Sequence, residues 1–265
     1  MSASPFTPIS VRTLLRTLIT QLDHIYSHGP VVREGALSCG LRSIDAASGG
    51  IQCTDVWLLG CMEPGPGTDL LLQMATHVAA QEQKVMFLSS RTSPVHLTAQ
   101  LLAQQQHITF DTLQSWKPDI ADETWSKLNA AVLAVSELNL VFGQITADTD
   151  EALLEQLTLA VTTKSKPALL ILDDYLLMAY FSRTEATARL LPALKQWCTQ
   201  WQVPLIIGGP CLRNQASCYQ ADMVLWLDSF QHVLNINARL LTGPTRIPMV
   251  YLEPFRYWFE AEVAA

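Results

Sequence analysis

Short apolar runs alternate with longer helical stretches from about Gly35 onward, and this alternation limits the fold more than any other feature of the chain. Val56-Trp57-Leu58-Leu59 reads as a strand, Gly60 to Gly67 as a Gly/Pro-rich turn, and Thr68 to Gln81 as a helix. The pattern then repeats. Val85 to Leu88 is a strand, and Val95 to Gln105 and Asp122 to Ser136 are helices. Leu140 to Phe142 is a strand, Asp150 to Thr162 a helix, and Ala168 to Leu172 a buried strand ending in Asp173-Asp174. Thr184 to Trp201 is helical with a kink expected at Pro192, and Leu205 to Gly208 and Met223 to Leu227 are strands. Val233 to Leu240 and Met249 to Leu252 read as a closing antiparallel pair. Wholly apolar strands separated by helices predict an α/β protein with a mostly parallel central sheet flanked by helices, because each crossover helix covers one face.

A helix is also predicted ahead of this body, over residues 9–27. Ser10 serves as its N-cap, Val11, Leu14, Leu15, Leu18, Ile19, Leu22 and Ile25 recur at helical spacing, and His28-Gly29-Pro30 stops it. Its apolar face must dock either on its own domain or on a neighbouring subunit. Composition bears on that choice. Hydrophobic residues make up 49% of the chain and charged residues only 15%, against about 25% charged in an ordinary soluble domain. So apolar a chain is not a disordered tail, and part of its surface is expected to be covered by a partner or by further copies. A net charge of −7 argues against a charge-driven grip on nucleic acid.

No apolar run reaches the roughly 18 residues of a bilayer span, and no secretory leader is evident, so no membrane contact and a cytoplasmic location are expected. Cys39, Cys53, Cys61, Cys198, Cys211 and Cys218 form no CxxC pair and have no zinc-site spacing; reduced thiols, mostly core filler, and no metal are expected. His24 and His28 stand at i, i+4 without a metal-protease pattern and read as surface residues. Trp197 and Trp201 read as core or interface, and Arg12 and Arg16 as a solvated helix face.

The turn after the first strand has the place of a phosphate cradle, where free backbone N–H groups and a helix dipole meet an anion. The pattern for such a cradle is GxxxxGK followed by Ser or Thr. Gly60 and Gly65 have the spacing, but Pro66 and Gly67 follow them; sliding the frame puts Gly67 at the lysine position before Thr68. Neither frame has the lysine, and no Lys or Arg occurs from Gly50 to Gln83. Pro66 removes an N–H, and Glu63 and Asp69 add negative charge. These residues favour a tight turn kept for folding over a triphosphate site.

In order along the chain, several segments carry a family likeness. Gly40-Leu41-Arg42-Ser43-Ile44-Asp45 with Ser48-Gly49-Gly50-Ile51-Gln52 is similar to TGxxxLDxxTGGLQ, and Phe87 to Ser93 is similar to FFSLEMS. Leu172 to Met178 is similar to IDYLQLM, Gln220 to Leu225 to QDADVVLF, and Thr242-Gly243-Pro244-Thr245 to NGPTG. The aromatic ending Phe255 to Phe259 is similar to the terminal strand. By these segments the chain resembles the C-terminal motor domain of DnaB-type replicative helicases, and that resemblance implies a RecA-like P-loop fold over 34–265 and an N-terminal linker helix over 1–33 that packs on an adjacent subunit.

The departures shape the functional expectation. The glutamate that would activate water falls on Arg91, and the glutamine of SQLNR is lost within Gly209 to Arg213, leaving Arg213. The basic pair that reaches a neighbour's phosphate falls on Arg239 and Leu241. Only the acidic pair Asp173 and Asp174 persists, as a vestige, and Arg91 is expected to pair with it across adjacent strand ends. No catalytic residue is assigned. If nucleotide binds, the resemblance gives Gly60, Gly65, Gly67, Thr68 and Arg239 to it; if single-stranded DNA binds, it gives Arg183 and Arg213, too few for more than weak contact. The expectation is a noncatalytic, replication-related protein without cofactor that self-assembles or docks on a DnaB-type helicase. The alternative is an active ATP-dependent helicase or translocase with Mg²⁺ and an atypical phosphate loop.

Overall fold

The apolar runs pair side by side. In a computed structural model, which describes residues 10–12, 15, 16, 19, 32–61, 63, 65–115, 122–163, 165–174, 184–210, 221–238, 245–252 and 256–261, they form one nine-stranded sheet. The strands are β1 (Val56–Cys61), β2 (Val85–Ser89), β3 (Leu140–Gln144), β4 (Leu169–Asp173), β5 (Leu205–Pro210), β6 (Met223–Asp228), β7 (Val233–Ala238), β8 (Thr245–Leu252) and β9 (Tyr257–Glu260). Their order is β3-β2-β4-β5-β1-β6-β7-β8-β9. The first six run parallel to their neighbours, and β7, β8 and β9 continue the sheet antiparallel.

The described helices are α1 (Arg42–Ser48), α2 (Pro66–Ala79), α3 (Pro94–Gln106), α4 (Phe110–Ser115), α5 (Asp122–Ser136), α6 (Asp150–Thr163) and α7 (Thr184–Trp201). Successive strand residues point to opposite faces, so the wholly buried strands feed two cores. Trp57, Leu59, Phe87 and Ile171 join Leu70, Leu71 and Met74 of α2 on one face. Leu58, Leu88, Leu170 and Leu172 join Leu153 and Leu157 of α6 and Leu194 and Trp197 of α7 on the other. Trp197 is thus a core residue, and Trp201, half-buried, packs against that core. Cys39, Cys61 and Cys198 are buried thiols, whereas Cys53 is exposed.

Sequence and structure differ at the element ends. Helix α2 starts at Pro66, two residues before its periodicity suggests, because proline suits the first turn, where its missing N–H is no loss. Gly60 and Cys61 belong to β1, where Gly60 pairs in register with Gly209 and Trp226; the sheet claims this glycine and the turn does not. The short helices α1 and α4 have too few turns to show a periodicity in sequence. Helix α7 runs through Pro192. Among the described residues no helix is long and apolar enough to cross a membrane. Of the N-terminal helix, residues 11, 12, 15, 16 and 19 are described and helical, with Val11, Leu15 and Ile19 each more than half exposed. The rest of that prediction, with His24, His28, Cys211 and Cys218, lies outside the described residues.

Candidate functional site

Strands β1, β4 and β2 deliver their carboxyl ends to one edge of the sheet, which is where open α/β sheets bind ligands. Gly65, with φ of +103°, caps α2 in a conformation that side chains rarely adopt. Thr68, in the first turn, donates from Oγ1 to Asp173 Oδ1 at 2.9 Å, and Ser89 at the end of β2 donates from Oγ to Asp173 Oδ2 at 3.0 Å. The three residues are buried. Phosphate-loop enzymes place their loop hydroxyl beside the strand-end aspartate in this way, around Mg²⁺. The contact matches the sequence frame in which Thr68 takes the hydroxyl position and Gly67 the lysine position.

No side chain fits at Gly67 without rearrangement. A Cβ built there would meet Cys61 Sγ at 2.7 Å, closer than real contacts allow. The missing lysine is thus matched by a neighbour that fills its root.

Burial, followed by the charge of Asp174, pushes Asp173 up to about 7 against the two hydroxyl donors. Burial also raises Asp174, whose backbone is left-handed with φ of +57°, and the nearby Arg91 charge opposes the rise. The expected Arg91 salt bridge is not formed: Arg91 follows β2 on an exposed loop and acts on Asp174 through space. A Mg²⁺-triphosphate does not fit this edge as an ATPase holds it. Pro66 offers no N–H, Gly67 is packed by Cys61 in place of a lysine, and a cation stands at position 91. Among the described residues no three His, Cys, Asp or Glu side chains come together as a metal site.

The other side of the α2 N-terminus is built by residues that the sequence did not single out as a site. Asp69, wholly buried, accepts from Tyr251 Oη at 2.6 Å and faces Arg256 Nη1 at 3.6 Å. Burial pushes its carboxyl up to about 7 against both partners. Trp258 Nε1 donates to the Pro66 carbonyl at 2.9 Å and its ring stacks on Tyr251. Gln73 and Trp258 exchange two hydrogen bonds, tying β9 to α2. Gln104 of α3 donates to the carbonyls of Asp69, at 3.0 Å, and Arg256, at 2.6 Å. The only sequence signal for these contacts is the aromatic ending around Arg256.

Of the sequence-predicted residues, Gly65, Gly67, Thr68, Asp173 and Asp174 converge on this edge, and Gly60 lies within β1. Arg183, Arg213 and Arg239 lie outside the described residues.

Comparison with known proteins gives the same architecture. Residues 36–215 match the family model of the DnaB-like helicase C terminal domain. None of the curated proteins matches the sequence. The fold is similar to the solved ATPase domain of G40P, with 14% identity, a TM-score of 0.78, and coverage of 97% of this chain and 100% of that one. It is similar, too, to a DnaB-like replicative helicase solved for its interactions with primase, with 14% identity, a TM-score of 0.76, and coverage of 97% of this chain and 68% of that one.

Proposed function

We propose, for a chain that belongs to the family of DnaB-like helicase C-terminal domains, a noncatalytic role as a cytoplasmic assembly or docking protein related to DNA replication. The observation that carries this reading is the packing of Gly67 against Cys61 at the position of the missing lysine. A γ-phosphate has no lysine to meet there, and Arg91 stands where a water-activating carboxylate is needed. The fold, the two cores and the exposed apolar residues of the N-terminal helix are all compatible with assembly and need no turnover.

That helix is the proposed docking element. Val11, Leu15 and Ile19 recur four apart, so they lie along one face, and each is exposed. In a chain of such low charge, a second copy or a DnaB-type helicase is the natural cover for an apolar face, through a helix-in-groove contact. Binding of single-stranded DNA is proposed to be weak or absent.

One observation favours a second reading. The Thr68–Asp173 couple is kept in the geometry that surrounds Mg²⁺ in working phosphate-loop enzymes. An active translocase would have to supply its cations from elsewhere. A steady-state ATPase assay with and without single-stranded DNA, together with light scattering on a sizing column, separates the two. Assembly without turnover supports the noncatalytic reading, and DNA-stimulated turnover overturns it.

A further inference from the structure

Strand β3 ends the sheet, with β2 on one side and, among the described residues, no strand on the other. Its ladder with β2 opens with the Val85 N–H on the Asn139 carbonyl and closes with the Ile145 N–H on the Ser89 carbonyl. Successive strand residues turn their backbone polar groups to opposite sides, so Leu140, Phe142 and Gln144 aim theirs away from β2. Such a row is a template for a further strand. Proteins commonly blunt it with charge or proline, and Leu140–Gln144 holds neither.

A groove of about 310 Å³ lies beside this edge, on the face that α6 covers. It is lined by Met86 and Leu88 of β2, Val141 and Gly143 of β3 and Leu159 of α6, the last 64% exposed. Gly143 helps to make it: a Cβ there would meet Leu88 Cδ2 at 2.6 Å, so Leu88 takes the place that a side chain of β3 would fill. Gln156 of α6 accepts from the Thr146 N–H and donates to Thr146 Oγ1, both at 3.3 Å, which ties the helix to the chain beyond β3. Binding pockets run from about 300 to 1,000 Å³, so the groove suits an apolar side chain or two and not a whole helix.

Charge selects the occupant. From Leu128 to Thr163 the chain has no Lys, Arg or His, yet it carries Glu137, Asp148, Asp150, Glu151 and Glu155. Glu137 and Asp148 stand exposed on either side of β3 in sequence. Glu151 and Glu155 are exposed a turn apart on α6, with Leu159 one turn further on. A second copy paired on this edge would set the same acids against each other, and like charges across an interface are unfavourable. A strand that carries Lys or Arg is attracted instead.

We propose that the outer edge of β3 and this groove are the docking site for an extended segment of a partner protein. The segment adds as a further strand, sets an apolar side chain in the groove and carries Lys or Arg on its flanks. Main-chain bonds supply affinity in such pairing, and the groove and charges supply selectivity. The site is distinct from the N-terminal helix and does not rest on assembly through it.

The test pans the full chain against a phage-displayed library of random linear peptides and titrates the synthesised winner by fluorescence anisotropy. Winners should alternate apolar residues with others and carry basic flanks. Q144P removes one outward N–H and keeps the bonds to β2, so it should weaken binding about fivefold, the weight of one hydrogen bond. L159D puts a charge into the groove and should weaken it about tenfold or more. E151K/E155K should weaken it about fivefold and flatten its salt dependence. R246A, on β8 towards the other end of the sheet, should match wild type. Thermal melts confirm folding, and the exposed sites of L159D and E151K/E155K carry the comparison if Q144P does not fold. No winner, winners without basic flanks, or a winner that binds any folded edge or groove variant as tightly as wild type would each overturn the proposal. A smaller assembled fraction for Q144P on a sizing column would overturn it in favour of a second copy. Variants of Leu15 and Ile19 should bind the peptide as wild type does, so this proposal and the assembly reading fail separately.

Discussion

Thr68 Oγ1 donates to Asp173 Oδ1 at 2.9 Å across 105 residues of sequence, joining the first turn of α2 to the end of β4. The partners come from two of the most deeply buried elements, and neither depends on a lysine. In this chain the contact fastens helix to sheet. Thr68→Val keeps the shape but strands a buried carboxylate oxygen, at a cost of about 1–3 kcal/mol. Urea unfolding should show that loss, with Thr68→Ser close to wild type. Equal stability of all three proteins would mean that Asp173 finds another donor.

Gly67→Lys should not restore an ATPase. Its Cβ would press on Cys61 Sγ at 2.7 Å, and overpacking of this kind costs about 1–3 kcal/mol. Cys61→Ala removes the sulfur and should recover most of the stability in the double variant. Both proteins should remain without DNA-stimulated turnover, because Arg91 still occupies the glutamate position. Turnover by the double variant would identify the lysine as the only missing part.

How far the sequence was legible follows from which contacts are local. Strand runs such as Val56 to Leu59 and Leu169 to Leu172 announce themselves, because burial on both faces requires apolar residues throughout. The loss of lysine is visible because the loop pattern is contiguous. The choice between the two loop frames was not legible, since it rests on Thr68 meeting a residue from another strand. The Asp69 cluster was hidden for the same reason. Asp69 reads as an added charge beside a phosphate until Tyr251, Gln104 and Arg256 are folded around it. The Arg91 salt bridge failed because adjacency of strand ends does not fix where a loop side chain turns.

Replacing Leu15 and Ile19 together by Asp should reduce the assembled fraction on a sizing column without lowering the thermal midpoint. Both side chains are exposed, so the folded chain loses no core packing. An unchanged assembly state would remove this helix from the docking surface.

Stability should fall as pH rises from about 4 to 7. Burial raises Asp69 and Asp173 from 3.8 to about 7 in the folded chain. In the interval between those values the native state holds protons that the unfolded chain has released, so the stability drops as pH increases, by up to about 1.4 kcal/mol per pH unit for each group. Below the unfolded value both states are protonated and the effect vanishes; above the folded value it levels off with the full penalty in place. Asp55 and Asp174, also raised by burial, act in the same direction. His96 acts oppositely, since burial and then Arg256 lower it from 6.5, and it offsets part of the fall below that pH. Asp69→Asn keeps the shape and removes one titrating group. Its unfolding free energy should vary less steeply between about pH 4 and 7, and should approach or exceed the wild type above pH 7. A wild-type profile that is flat or rises with pH would mean that the charges of Asp69 and Asp173 are better compensated than their partners indicate. A variant profile parallel to the wild type would assign the slope to Asp173 instead.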